Sequence, residues 1–95
     1  MTKTIAEDVA AQLADMTARG YTPVGTHPRV PELTAGARVH NHGEQYPEAY
    51  WDGTATVIAV MRRHETDFEV LVRRDRDGSL GWWADYGTRL AAPSI

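Results

Sequence analysis

At 95 residues the chain is long enough for one domain with a modest core. The absence of cysteine excludes disulfides, thiolate zinc sites and thiol nucleophiles, and a formal net charge of -3 argues against a basic module that neutralises phosphates. The opening residues Met1 to Asp8 carry two acids and no long apolar run, so neither a signal peptide nor a membrane span is expected there, and a reducing cytoplasm is the expected setting.

Residues 1–20 read as a helix. Thr4-Ile5-Ala6-Glu7 matches a capping box, in which the Thr4 hydroxyl accepts from the Glu7 amide while Glu7 reaches back. Ile5, Val9, Leu13 and Met16 follow at spacings of four, four and three and draw one apolar stripe, and Gly20 suits a left-handed C-cap. Residues 21–35 contain Pro23, Gly25, Pro28 and Pro31, which interrupt the apolar islands Tyr21, Val24, Val30 and Leu33 too often for a regular element. An ordered connector lying against the rest of the domain is expected.

Residues 36–93 read as β-structure. A strand over Ala37 to Asn41 turns Val39 one way and Arg38 and His40 the other. A long loop follows, and then Thr54 to Met61 with Ala55, Val57, Ala59 and Met61 on one face and Thr54, Thr56, Ile58 and Val60 on the other. Both faces are apolar enough to be buried, one by a barrel interior and one by the N-terminal helix. Asp67 to Arg74 places Phe68, Val70 and Val72 inward with Glu69, Leu71 and Arg73 outward. Asp77-Gly78 is a hairpin signal, because this pair supplies a positive φ at low cost. A strand from Leu80 to Ala84, a helical turn at Asp85 to Thr88 and a short last strand at Arg89 to Ala91 complete the pattern. The fold expected is therefore α+β, an N-terminal amphipathic helix on a four- to five-stranded barrel.

The order Gly36-Ala37-Arg38-Val39, an aromatic-bearing loop, Gly53-Thr54 opening a Val-rich strand, a second Val-rich strand, Asp77-Gly78 and an aromatic at Tyr86 resembles the SH3-like barrels of the mind-bomb/HERC and Tudor type. The resemblance covers about Gly36 to Pro93 and implies a binding module rather than an enzyme. Its helix, its length and its nine Arg against one Lys also resemble small accessory proteins of actinobacterial bacteriophages.

The candidate partner-binding residues are Tyr46, Tyr50, Trp51, Trp82, Trp83 and Tyr86, gathered in the long loop and around the last hairpin. Rings so grouped can form a groove for a proline-rich or extended peptide, or a cage for a methylated cation. Adjacent strand residues face opposite ways, so one of Trp82 and Trp83 belongs to the core and the other to the surface. The alternative is a Tudor- or KOW-like nucleic-acid binder using Arg62, Arg63, Arg73, Arg74 and Arg76. These arginines fall at opposite ends of one strand, which works against a single track. His40, His42 and Glu44 share a strand face and have donors suited to a weak divalent-metal site. Ser79 and Ser94 lack a paired base, and Asp75 with Asp77 reads as a turn, so no catalytic residue, metal or cofactor is expected. A protein partner is expected, and the helix stripe offers a route to a homodimer.

Overall fold

The apolar stripe at the N-terminus folds as α1 (Ile5–Ala18), which ends where the glycine predicts. Gly20 has a φ of 96°, its N–H donates to Thr17 O at 3.0 Å, and the Tyr21 N–H reaches back to Met16 O at 3.1 Å. This is a Schellman cap, and the Tyr21 and Met16 side chains supply its usual apolar contact. In the computed structural model the described residues are 5–41, 53–84 and 88–90, apart from the side chains of Asn41 and Arg89. Thr4, and with it half of the expected capping box, lies outside them.

Six strands follow: β1 (Thr22–Val24), β2 (Arg38–Asn41), β3 (Thr54–His64), β4 (Asp67–Arg74), β5 (Leu80–Ala84) and β6 (Thr88–Leu90). They form one antiparallel sheet in the order β5-β4-β3-β2-β6. The eleven-residue β3 is long enough to serve two partners on the same edge. Its first residues pair with β2 and its last with β1. The fold is thus α+β; no ladder joins β5 to β6 among the described residues, so the sheet is not closed.

The strand β1 falls in the segment expected to be irregular. Pro23 has no N–H to donate, which a sheet edge tolerates, and it sits in register with Met61 on an outermost strand. The rest of the connector does lie against the domain, because Leu33 is buried and a Thr26–Thr34 bridge closes the loop that carries it.

A second difference concerns β3. Strict alternation puts Met61 on the same face as Val57, but the register slips between Val57 and Ala59, leaving Ile58 as an extra residue. This bulge exchanges the faces of the strand halfway along. Ala55, Val57 and Val60 therefore join Val39, Phe68, Val70, Val72, Trp83 and Leu33 in one core, and Met61 turns to the opposite face. There Met61 packs with Met16 and Tyr21, with Leu13 and Trp82 alongside. Leu71 points outward as expected yet is completely buried, since it pairs with Ala59 and Trp82 in the half of the outer face that the helix occupies. One face of β3 is covered throughout its core stretch, whereas the helix covers the other only from the bulge onward, leaving Thr54 exposed and Thr56 half-buried.

Candidate functional site

Of the six aromatic candidates, the sheet uses two in packing. Trp83, opposite Val70, is a core residue. Trp82, opposite Leu71, points outward but is half-buried beside α1, where its Nε1–H donates to Gln12 Oε1 at 2.8 Å. The outward tryptophan therefore anchors this chain's own helix. The stripe residues Leu13 and Met16 are likewise spent on the sheet, while Ile5 remains 44% exposed. Tyr46, Tyr50, Trp51 and Tyr86 lie outside the described residues, as do His42 and Glu44 of the possible metal set. Among the described residues no three His, Asp or Glu side chains cluster as metal ligands would, and no helix is long and apolar enough to cross a membrane.

The points at which the undescribed segments leave the sheet are themselves placed. Residues 42–52 run from Asn41 at the end of β2 to Gly53 before β3, and residues 85–87 run from Ala84 to Thr88. Asn41 pairs with Thr88, so both aromatic-bearing segments begin or end at one position in the sheet. Thr88 is buried, and its hydroxyl donates to Ala84 O at 2.8 Å. That bond draws the two ends of the strand order towards each other.

The arginines divide as their spacing implies. At the turn between β3 and β4, Arg63 donates to Asp67 through Nε at 3.0 Å and pairs with it at 2.8 Å, and its guanidinium lies 5.0 Å from the centre of the Tyr21 ring. The Tyr21 hydroxyl also donates to Asp67 Oδ2 at 3.2 Å. Burial first, and Asp67 second, raise the Tyr21 pKa above that of an ordinary phenol. Arg63 thus fastens the C-terminal cap of α1 to the β3–β4 turn, while neighbouring Arg62 is exposed. At the far end of β4, Arg74 donates to Ser79 Oγ at 3.2 Å and to Leu80 O at 2.8 Å and lies directly over Gly81. Arg76 lies 3.9 Å from Asp77, and Arg73 is exposed. The five residues of the nucleic-acid alternative form two groups, and one member of each, Arg63 and Arg74, serves the fold.

Asp75 begins the β4–β5 turn, and there it organises a network that spacing did not indicate. Arg38 holds its carboxylate with both terminal nitrogens, Nη1 to Oδ1 at 2.9 Å and Nη2 to Oδ2, and Nη1 also donates to Thr56 Oγ1 at 2.7 Å. Thr54 Oγ1 donates to Asp75 Oδ2 at 2.6 Å. Arg38 first, and Thr54 next, hold the Asp75 carboxyl well below the usual carboxylate range. The sequence signal was weak: Arg38 and Asp75 are 37 positions apart and meet only because both flank the start of β3. In the same turn Asp77 Oδ1 accepts from the Ser79 N–H at 3.0 Å and from its hydroxyl at 2.6 Å, and Gly78 takes the positive φ of 74° that Asp-Gly implies.

His27 was also missed. It is 3% exposed, its ring lies 4.3 Å from that of Phe68, and Nδ1 accepts the Arg29 N–H at 3.1 Å. A histidine between prolines and glycines gives no periodicity from which burial could be read.

Comparison of the chain with protein-family models, with curated proteins and with solved structures finds no match.

Proposed function

We propose that this protein is a non-enzymatic protein-binding module on an SH3-like framework. Its strand order suits that framework: β3 is shared between two halves of the sheet, and three residues link the strands at the two ends of the order. The observation that carries the functional reading is the Asn41–Thr88 pair. It roots the segment bearing Tyr46, Tyr50 and Trp51 beside the segment bearing Tyr86, after packing has claimed Trp82 and Trp83. Four aromatics attached at one end of a small sheet suit an extended or proline-rich peptide, because rigid rings dominate binding hot spots at little entropic cost.

The test is affinity capture with the tagged protein and with Trp51→Ala, followed by mass spectrometry of what is retained. A partner held by the parent and lost with Trp51→Ala, at unchanged circular dichroism, supports the reading. Equal retention by both proteins overturns it, and loss of folding returns Trp51 to the core.

A further inference from the structure

The β4–β5 turn holds a pair of residues with chemistry of its own. In an Asp-Gly sequence the glycine has no side chain to keep its nitrogen from the preceding carboxyl, so the main chain can cyclise onto Asp. Asp77-Gly78 is such a pair, and Asp77 is exposed to water.

In the folded turn each group that this cyclisation needs is already engaged. The attacking nitrogen is that of Gly78, and its N–H donates to Arg74 O at 2.8 Å. The carbon attacked is the Asp77 carboxyl, whose Oδ1 accepts from the Ser79 N–H at 3.0 Å and from the Ser79 hydroxyl at 2.6 Å. Its other oxygen lies 3.9 Å from Arg76 Nε. Donors on a neutral carboxyl would polarise it for attack, but here the Ser79 hydroxyl first, and the Ser79 amide next, hold it below the usual carboxylate range. The ionised form carries no hydroxyl that can leave as water. The Arg74 N–H closes the turn from its other side by donating to Ser79 O at 2.8 Å, with Gly78 held at a φ of 74°.

We propose that Asp77 is a site of spontaneous isoaspartate formation which the folded β4–β5 turn holds off, so that modification there marks chains whose hairpin has opened. In the open turn the Gly78 nitrogen bonds to the Asp77 side-chain carbonyl carbon, and its proton leaves with the carboxyl hydroxyl as water. Water then adds to the main-chain carbonyl of the cyclic imide and breaks its bond to that nitrogen. The main chain now runs through the Asp77 side chain, one carbon longer, and the former main-chain carbonyl becomes a free carboxylate. A longer turn cannot keep Gly78 N–H on Arg74 O while Ser79 stays paired with Arg74. Arg74 also holds Leu80 O at 2.8 Å, so the damage lies next to the strand that carries Trp82 and Trp83. Neither the aromatic segments nor a partner enters this inference.

The experiment follows isoaspartate at Asp77 by peptide mapping with electron-transfer fragmentation, in the folded protein and in concentrated guanidinium chloride, at neutral pH. In denaturant Asp77 should convert at a rate like that of Asp52, which precedes Gly53 in the other Asp-Gly pair. In the folded protein Asp77 should convert at least about tenfold more slowly than in denaturant, because several hydrogen bonds must open together. Ser79→Ala removes one donor and should convert about threefold faster than the parent when folded, while Ser79→Thr keeps the hydroxyl and the protection. Amide spectra show that each variant is folded, and all three proteins should convert alike in denaturant. Equal or faster conversion in the folded parent, no isoaspartate at Asp77 in denaturant, or a Ser79→Ala rate equal to the parent's overturns the inference.

Discussion

The indole Nε1–H of Trp82 and the amide oxygen of Gln12 meet at 2.8 Å across 70 positions of sequence, linking β5 to α1. Around this bond the helix contributes Met16 and Leu13 and the sheet contributes Met61. Gln12→Ala leaves the half-buried N–H without its acceptor and should cost about 1 kcal/mol, read as a lower urea midpoint and a shifted indole signal in the proton spectrum. An unchanged midpoint would mean that the bond contributes nothing net.

The apolar part of the same contact is unequal along the helix. Met16 is 7% exposed and Ile5 is 44% exposed, although both belong to the stripe. Met16→Ala should destabilise by about 2 kcal/mol or more and Ile5→Ala by less than about 0.5 kcal/mol. Equal losses in urea denaturation would show that the helix docks differently.

Asp75 ties stability to acid pH. Its carboxyl ionises more readily in the folded chain than the ordinary value of about 3.9 for an unfolded one, so its contribution is complete above that value. As the pH falls below about 4, the unfolded chain takes up this proton first, and the contribution is lost through the folded pKa. Urea midpoints compared at pH 5 and pH 2.5 should drop for the parent and drop less for Asp75→Asn. An identical drop would assign the acid sensitivity to other carboxyls.

Two glycines at which a methyl group would meet open space separate backbone strain from crowding. Gly36 has a φ of 91° where its N–H donates to Val57 O at 2.8 Å, whereas Gly25 lies outside the left-handed region. Gly36→Ala should cost about 1 to 2 kcal/mol, and Gly25→Ala should be neutral or slightly stabilising through the unfolded chain. Thermal melts of the pair decide it.

Much of the architecture was legible because it follows from local rules. The helix and its glycine stop, the bounds of β4, the Asp-Gly turn and the opposite facing of Trp82 and Trp83 all rest on periodicity or on φ, although the surface position expected for one tryptophan is taken by the helix. What was not legible depends on distant parts of the chain. Pro23 argues against a strand until β3 supplies an edge for it, and the extra residue at Ile58 leaves no mark in a run of apolar side chains. His27 and the meeting of Arg38 with Asp75 become sites only when the fold brings their partners. The candidate site was legible only as a list of aromatics; packing then removed two of them from the list.

The division of β3 between its neighbours also orders assembly in time. The meander from β3 through β5 pairs segments adjacent in sequence, whereas Thr22 must find Arg62 and Val39 must find Leu90. Closing those larger loops costs entropy before any pairing repays it. The central meander is therefore expected to be the first part to gain protection from hydrogen exchange and the last to lose it. The two ends of the chain, which carry the helix and the last strand, form a later and more readily opened layer.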